Sequence, residues 1–413
     1  MRLGVYFGSR KAGSLCSTSD RGVVFTYDAG YLSDASARGL SASLPLREEE
    51  FTQKECMPFF SGLLPEGDSR KKIADYLRIS ETSTLKLLDA LGGECAGLVT
   101  LTAEENPVLQ RERYEFDGQN YEELEDGRLA DFIRKIPERP LIKADAKLRL
   151  SLAGAQEKIA LARIAGRWCL PLNGAPSTHI LKPTREASLS SLAQNEYICM
   201  RLAAGLGLDV PGVDLMRIAG KDVFVVSRYD RVMEGNGILR LHQEDFCQAL
   251  GLMSEMKYQS DGGPGIADIC RVMKSVMTVP ALETRKLLRT VVFNYLIGNC
   301  DCHGKNYSIL YKGRKAELAP LYDAVSTMIY EGLTDKLSMK IGRHYEIGKV
   351  TREDFALLAE SVGLNVSVLW SVLDEFGKKL PRVLGFLSKD DRINGSLLAQ
   401  IAAGVDRRLR VVT

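Results

Sequence analysis

The sequence predicts an α+β protein whose strands and helices occupy different parts of the chain. Runs rich in β-branched and aromatic residues cluster between residues 148 and 227, whereas the chain beyond residue 240 has mostly helical periodicity. With 413 residues, the chain is long enough for two or three domains. We therefore expect a small mixed domain at 1–105, a linker with a connecting helix at 106–140, a strand-rich lobe at 141–245 and a helical lobe at 246–413.

Composition and charge narrow the classes of function. Hydrophobic residues make up 45% of the chain and charged residues 26%, which are ordinary proportions for a globular protein. A net charge of +2 gives no sign that nucleic acid or a membrane surface is the main partner. No apolar run reaches about 18 residues, so we expect no membrane span. Nine cysteines, an odd number without the spacing of a disulfide framework, indicate a reducing cytoplasm.

The first 105 residues form a mixed unit. Strands are predicted at residues 5–7, 23–27 and 96–101, and helices at 57–64, 69–77 and 83–91. Gly8 and Gly13 interrupt the chain between the first two strands, and Asp68 or Ser69 is a candidate N-cap of the second helix. The unit contains no catalytic cluster, so an accessory or docking domain is the simplest interpretation. Charged residues and turn formers then predict the linker, with one helix at 129–136.

A loop of small residues marks the start of the strand-rich lobe. Strands are predicted at 148–152 and 159–162, and the loop between them is Ala153-Gly154-Ala155-Gln156-Glu157-Lys158. Small side chains let backbone N–H groups approach phosphate oxygens, so this loop is a candidate phosphate cradle closed by a lysine. It matches neither of the two common glycine-rich phosphate motifs. A plain β-hairpin is the alternative interpretation.

A lysine in the next apolar strand is a second candidate for phosphate binding. Lys182 lies in the run 178–183, and a strand there could place its ammonium on the phosphates of a nucleotide. The following helix is predicted to start at Ser191, which forms a capping box with Gln194. Glu196 in this helix is the candidate ion-pair partner of Lys182. An ordinary solvated lysine and glutamate are the alternative.

Two further strands lead to a candidate adenine site. The runs 213–218 and 223–227 deliver Ser227, Arg228 and Tyr229 to the expected crossing between the lobes. Backbone groups of these three residues are candidates to bind adenine, with the Tyr229 ring packing against the base.

A polar loop after an apolar helical run carries the strongest candidate for chemistry. Asp301 and Asn306 have the D-x-x-x-x-N spacing of a phosphotransfer loop, in which the aspartate accepts the proton of the attacking hydroxyl and the asparagine holds Mg²⁺. Asp323 follows after a hairpin-length gap and is the candidate second metal ligand, because Mg²⁺ prefers oxygen ligands. The same spacing also arises by chance in polar loops.

The cysteines beside Asp301 suggest a different metal site. Cys300, Cys302 and His303 could bind a soft metal, but the second ligand pair that structural zinc requires is missing, so a packed loop is the better interpretation. Around this loop, helices are predicted at 244–250, 266–277, 281–297, 352–362, 366–376 and 397–409. The basic run at 407–410 is interpreted as a solvated last helical turn rather than a nucleic-acid contact.

Taken together, these motifs resemble the HipA-type serine/threonine kinases, the toxin halves of bacterial toxin–antitoxin pairs. The resemblance runs from end to end of the chain. The segments that carry it are 43–46, 63–65, 151–158, 178–183, 195–196, 228–231, 243–248, 261–265, 301–306 and 322–323. It implies a two-lobed protein-kinase-like fold with a small mixed α/β N-terminal domain, in which 141–245 is the N-lobe and 246–413 the helical C-lobe.

The resemblance also implies roles for individual residues. Asp301 is expected to be the catalytic base, Asn306 and Asp323 the Mg²⁺ ligands, and Ser151 an autophosphorylation site whose phosphate disables the adjacent loop. ATP and Mg²⁺ are the expected cofactors. The expected nucleotide-binding residues are Ala153, Gly154, Ala155, Gln156, Glu157, Lys158, Lys182, Ser227, Arg228, Tyr229, His303, Lys305, Asn306, Tyr322 and Asp323.

Partners follow from the same resemblance. They are a HipB-type helix-turn-helix antitoxin, operator DNA bound through that antitoxin, and a translation component such as an aminoacyl-tRNA synthetase as substrate. The chain departs from the family at Cys300 and Cys302, where relatives more often have Thr and Gly, and at Ser227, where an acidic residue occurs. No glycine follows Asp323. A non-catalytic corepressor that acts with the antitoxin and a small-molecule phosphotransferase are the alternatives.

Overall fold

The computed structural model of the chain describes residues 1–19, 22–103, 111, 113–135, 158–184 and 191–413. Ser151, the loop residues 153–157 and the strand predicted at 148–152 lie outside these ranges. Lys158 is the first described residue after them.

The N-terminal domain is a four-stranded antiparallel sheet with helices packed against it. The strands, in the order β3-β2-β1-β4, are β1 (Arg2–Phe7), β2 (Arg10–Thr18), β3 (Gly22–Tyr27) and β4 (Val99–Thr102). The helices are α1 (Ala29–Leu32), α2 (Gln53–Gly62), α3 (Gly67–Leu77) and α4 (Thr84–Leu91). Phe25, Phe59, Phe60 and Leu88 are fully buried between sheet and helices, so this domain has its own core.

The strand-rich lobe is built on a six-stranded antiparallel sheet. Its elements are β5 (Arg113–Glu115), β6 (Tyr121–Glu123), α5 (Asp126–Lys135), β7 (Ile159–Ile164), β8 (Arg167–Pro171), β9 (His179–Pro183), α6 (Leu192–Gly205), β10 (Val213–Ile218), β11 (Lys221–Ser227), β12 (Arg231–Glu234) and β13 (Gly237–Arg240). The large sheet has the order β10-β11-β9-β7-β8-β6, and β12, β13 and β5 form a smaller one. Because β9 lies between β11 and β7, Lys182 is carried on an interior strand.

The C-terminal lobe is a helical assembly around one buried helix. Its elements are β14 (His242–Asp245), α7 (Phe246–Ala249), α8 (Ile266–Val276), α9 (Pro280–Ile297), β15 (Ser308–Lys312), β16 (Lys315–Leu318), β17 (Lys336–Ile341), β18 (His344–Glu346), α10 (Arg352–Val362), α11 (Ser367–Leu387) and α12 (Gly395–Val412). Helices α8, α11 and α12 pack around α9. In α9, Leu287, Leu288, Val292 and Phe293 are fully buried. The arrangement confirms the predicted α+β class.

Several elements differ from the sequence prediction. Residues 10–18, where Gly13 was expected to interrupt the chain, form β2. Gly13 lies inside that strand, and a Cβ there would come within 2.2 Å of the Thr26 carbonyl oxygen, so only glycine fits. The stretch predicted as a linker contributes β5 and β6 to the two sheets of the neighbouring lobe. Strands of three residues are too short to show a period of two, which explains why they were missed.

Two predicted helix N-termini also differ from the structure, although Ser191 is the N-cap residue as predicted. Helix α3 begins at Gly67 with Glu66 as N-cap, so neither Asp68 nor Ser69 occupies that position. Helix α6 follows Ser191, but the Gln194 amide donates to the Asp222 carboxylate (3.1 Å) and the Arg392 carbonyl (2.9 Å). Long-range hydrogen bonds of Gln194 therefore replace the predicted capping box.

A buried ionic cluster joins the N-terminal domain to the strand-rich lobe. Glu94 accepts hydrogen bonds from Arg228 (2.8 Å) and Arg231 (2.5 Å), and Asp230 pairs with the same two arginines. Arg240 donates to the Gly97 carbonyl (3.1 Å). All these charged side chains are buried. Since an unpaired charge is costly in an apolar interior, the cluster fixes how the two domains meet.

Replacing Glu94 with Gln leaves Arg228 and Arg231 with only the Asp230 carboxylate. Breaking a buried ion pair by removing one partner is expected to lower the free energy of unfolding by about 3–5 kcal/mol. Urea denaturation followed by tryptophan fluorescence measures the change. The exposed pair of Glu123 with Arg167 provides the control, because Glu123→Gln should cost less than about 1 kcal/mol. Equal losses in both variants would contradict the assignment.

Candidate active site

The candidate catalytic loop is fixed where α9 ends. The Asn299 amide donates to the Asn294 side-chain oxygen (2.9 Å), and its own oxygen accepts a hydrogen bond from the Asp301 N–H (3.2 Å). Gly298 ends the helix in the left-handed conformation, with φ of 71°. The helix end therefore determines the backbone position of Asp301.

The Arg408 side chain of α12 supports the same helix end. Its Nε donates to the Leu296 carbonyl (2.8 Å), and burial lowers its pKa from the usual value. The interpretation of the basic run as a solvated last turn is therefore wrong for Arg408, while Arg407 and Arg410 are exposed.

The Asp301 carboxylate is open to a cleft between the two lobes. Its Oδ1 accepts a hydrogen bond from the Tyr258 hydroxyl (3.0 Å). Burial raises the pKa of Asp301, and the Tyr258 hydrogen bond and the Lys257 ammonium oppose this effect without cancelling it. A raised pKa is the direction that suits a carboxylate acting as a proton acceptor.

Asn306 closes the short 3₁₀ turn Gly304–Asn306 of this loop. Its side-chain oxygen accepts a hydrogen bond from the His303 N–H (2.9 Å), and the residue lines the cleft. An amide oxygen has two lone pairs, so this contact leaves acceptor capacity for a cation.

Lys182 connects the strand-rich lobe with the helical one. Its Nζ donates to Glu196 of α6 (2.7 Å) and also to Asp323. The predicted ion pair with Glu196 is therefore present in the structure. Burial raises the pKa of Glu196 to about 7 against the opposing effect of Lys182. For Lys182, burial acts to lower the pKa, but the two carboxylates raise it above its usual value.

Asp323 has an unusual backbone conformation in the segment after β16. Its φ of 53° lies in the left-handed region, which aspartate adopts more readily than most residues. Burial acts to raise the pKa of Asp323, but Lys182 and Lys158 lower it to about 2, so the carboxylate is ionised. Its side chain is 41% exposed, at the wall of the cleft.

The donor chemistry of Asn306 and Asp323 fits a magnesium ion. One amide oxygen and one ionised carboxylate, both at the cleft wall, supply the few oxygen ligands that Mg²⁺ takes from proteins.

A soft-metal site at Cys300 and Cys302 fits less well. Cys300 and Cys302 are buried, and the Cys302 thiol lies 3.1 Å from the Tyr307 hydroxyl. Within the described ranges, no group of three or more His, Cys, Asp or Glu side chains is suited to a metal.

The expected adenine end of the cleft has fewer open backbone groups than predicted. The Ser227 N–H donates to the Gly212 carbonyl and the Arg228 N–H to the Thr178 carbonyl, both at 2.8 Å. The Arg228 side chain points into the buried ionic cluster, so it is not directed at a nucleotide. The Tyr229 ring lies 5.7 Å from the Tyr322 ring, centroid to centroid, at the cleft wall.

Three other residues predicted to contact the nucleotide line the cleft and also make contacts within or to the catalytic loop. They are His303, Lys305 and Tyr322. Lys305 Nζ donates to Asp245 (2.6 Å), and the Tyr322 hydroxyl donates to the Lys305 carbonyl (2.7 Å). Burial lowers the pKa of His303 to about 3, so its ring is neutral. Among the described residues, the His303 Nδ1 atom finds no hydrogen-bond partner.

Lys158 also lines the cleft, beside Asp323 and Lys182. Burial lowers its pKa to about 8, although Asp323 acts in the opposite direction. Ser151, Ala153, Gly154, Ala155, Gln156 and Glu157 lie outside the described residues, so their predicted roles stay predictions.

One cavity of about 630 Å³ brings these side chains together. Lys158, Lys182, Asp301, Asn306 and Asp323 all line it. The volume suits a small-molecule ligand of nucleotide size.

Sequence reasoning missed three residues at this cleft. Tyr258, which contacts Asp301, belongs to the segment between α7 and α8, and Lys257 precedes it. Glu66 comes from the N-terminal domain. The spacing of these residues follows no motif. One signal in the sequence could have indicated them: Lys257 and Tyr258 lie just before the Gly-rich segment 261–265, and Glu66 directly follows Leu63-Leu64-Pro65.

Lys182 lies on a sheet and is paired with a helical glutamate. Across a cleft of nucleotide size it faces Asp301 and Asp323 of the helical lobe. This arrangement is typical of protein kinases. Comparison with known proteins agrees with that class. Residues 150–384 match the HipA-like C-terminal domain, and residues 3–102 match the HipA N-terminal domain.

Individual relatives extend over nearly the whole chain. The protein Y4mE of Sinorhizobium fredii is 37% identical, covering 99% of this chain and 98% of its own. The serine/threonine-protein kinase toxin HipA of Shewanella oneidensis is 28% identical over 87% of this chain and 83% of its own. A solved complex of Shewanella oneidensis HipA with HipB and operator DNA contains a chain with a TM-score of 0.83 and 25% identity, covering 99% of this chain and 96% of that one.

The chain therefore belongs to the HipA family. The predicted kinase-like fold and the assignment as a protein kinase are confirmed by these matches. In the part of the chain that the structure describes, none of the helices combines the length and apolar character needed to cross a bilayer.

Replacing Tyr258 with Phe removes a hydrogen bond that lowers the pKa of Asp301, so that pKa should rise further. The carboxylate accepts a proton only when ionised, and ionisation is lost as the pH falls through the pKa. The acid limb of the kcat profile is therefore expected to move to higher pH, with the largest loss of activity at low pH. Tyr76→Phe, at an exposed site in α3, should leave the profile unchanged. Identical profiles for wild type and Tyr258→Phe would contradict the role of this hydrogen bond.

Proposed function

We propose that the chain is an active, Mg·ATP-dependent serine/threonine protein kinase that acts as the toxin of a toxin–antitoxin pair. The observation that carries the proposal is the convergence of Lys182, Asp301, Asn306 and Asp323 on one cleft of about 630 Å³. Lys182 comes from the strand-rich lobe and the other three residues from the C-terminal lobe, and their side chains are those that phosphoryl transfer from ATP requires.

Each residue has a distinct part in the proposed reaction. Asp301 orients the acceptor hydroxyl and takes its proton, aided by a raised pKa. Lys182, held by Glu196, presents an ammonium to the phosphates of the nucleotide. Asn306 and Asp323 would hold Mg²⁺, which neutralises charge on the phosphates when bound. Tyr229 and backbone groups near it would receive the adenine.

Autophosphorylation of Ser151 is proposed from the family resemblance. A phosphate there adds about two negative charges to the segment that leads into Lys158. Repulsion from the phosphates of ATP would then weaken nucleotide binding, and the kinase would limit its own activity. The small-residue loop from Ala153 to Lys158 is proposed as the phosphate loop that this charge disables.

The proposed partners follow the known relatives. The Shewanella oneidensis relative was solved together with HipB and operator DNA. We infer that this chain binds a HipB-type antitoxin, and operator DNA through it. An aminoacyl-tRNA synthetase is the proposed substrate class, on the resemblance alone. A cytoplasmic location is supported by nine free cysteines.

Asp301→Asn tests the central proposal. Loss of the base is expected to reduce phosphate transfer by about 10²- to 10⁴-fold. Dephosphorylated protein incubated with Mg·ATP is analysed by intact mass, and phosphoproteomics compares cells that express wild type and variant. Asp374→Asn, on the surface of α11, is the control. If wild type transfers phosphate to neither itself nor any cellular protein, the alternative of a non-catalytic corepressor is favoured.

Asp323→Asn tests the proposed metal site. Wild type should bind ATP more tightly with Mg²⁺ than with EDTA, because the Asp323 carboxylate is ionised and open to the cleft. The variant should lose most of that difference, which titration calorimetry measures. Asp374→Asn again serves as the control and should keep it. A variant with an unchanged Mg²⁺ effect would exclude Asp323 as a ligand.

A further inference from the structure

Glu66 brings the N-terminal domain to the catalytic cleft. It is the N-cap residue of α3, and the side chain is only 15% exposed. Gly62, Leu63 and Ala96 of the same domain line the cleft with it. This wall of the cleft therefore comes from the domain that the sequence presented as an accessory unit.

The Glu66 carboxylate lies between two lysines. Its Oε2 is 3.2 Å from Lys257 Nζ, and its Oε1 is 3.4 Å from Lys305 Nζ. Lys305 belongs to the 3₁₀ turn of the catalytic loop, where Asp245 is its other carboxylate partner (2.6 Å). Lys257 immediately precedes Tyr258, whose hydroxyl contacts Asp301.

Both lysines are tied to the backbone of the catalytic loop. The Lys257 carbonyl accepts a hydrogen bond from the Gly304 N–H (3.2 Å). Gly304 is tightly enclosed, since a Cβ there would come within 2.5 Å of Pro264 and 3.1 Å of the Cys247 thiol. Movement of either lysine is therefore transmitted to the segment that carries Asp301 and Asn306.

The charge balance at this point depends on Glu66. The Lys257 and Lys305 side chains are mostly buried, with 18% and 7% exposure, so their repulsion is weakly screened by solvent. Asp245 neutralises one of the two ammonium groups. Without the Glu66 carboxylate, the Lys257 ammonium would remain close to the Lys305 ammonium with no carboxylate between the two.

We infer that Glu66 is a positioning residue that makes the N-terminal domain part of the active site. It acts through Lys257 and Lys305 to hold the catalytic loop, and it contacts neither the nucleotide nor the acceptor. The effect on catalysis rests on the proposed kinase function, whereas the effect on the loop does not.

Glu66→Gln keeps the shape of the side chain and removes its charge. A misplaced base is expected to lower kcat by about 10- to 100-fold, whereas KM for ATP should change less because the phosphate contact proposed for Lys182 is untouched. Hydrogen exchange of peptides covering residues 299–306 should become faster. Glu55→Gln, which breaks an ion pair with Arg47 inside the same domain, should change neither quantity.

Lys257→Met and the double variant with Glu66→Gln complete the test. If Glu66 works through Lys257, the loss of kcat in the double variant should be smaller than the product of the two single losses, whereas independent effects multiply. In an active enzyme, unchanged kcat or unchanged exchange at 299–306 in Glu66→Gln overturns the inference. If wild type has no transferase activity, the proposed function fails, and the exchange measurement alone decides whether Glu66 holds the loop.

Discussion

The cleft depends on one buried ammonium group that two lobes share. Lys182 lies on an interior strand of the six-stranded sheet, and Glu196 lies on helix α6, which packs on that sheet. Asp323 lies in the C-terminal lobe, 141 residues after Lys182. A buried charge is stable only with its partners in place, so the pairing specifies how the sheet, α6 and the C-terminal lobe are arranged. The same contact gives Asp323 an ionised carboxylate at the cleft wall. Lys182 and Asp323 therefore both hold the lobes together and line the cleft.

Ion pairs join the N-terminal domain to the kinase lobes. Glu94 and Glu66 are both acidic side chains of that domain, and both are paired with cations of the kinase lobes. The paired groups are buried or mostly buried, so separating the domain from the kinase lobes would leave charges without their partners. The N-terminal domain therefore forms one wall of the cleft.

The sequence predicted the parts of the fold that have long, regular patterns. Strands β9, β10 and β11 and helices α8 and α9 were found, because their apolar residues repeat over six or more positions or end at clear breakers. The short strands β5 and β6 carry no such pattern, and Gly13 was expected to interrupt the chain because its close packing against Thr26 is a tertiary effect that the sequence does not show. At the cleft, Lys182, Asp301, Asn306 and Asp323 were recognised by residue type and order. Tyr258 and Glu66 were missed, since they meet their partners 43 and 191 positions away, and neither position has a local signature.

The contact between the last helix and α9 has a consequence for protein synthesis. Strands β1 to β4 all lie within residues 2–102, so the first domain has every contact of its sheet early in translation. The catalytic loop lacks one of its contacts for longer, because Arg408, which donates to the Leu296 carbonyl, is synthesised 112 residues after Leu296. A growing chain of this protein therefore carries a finished N-terminal domain well before it carries a finished catalytic centre.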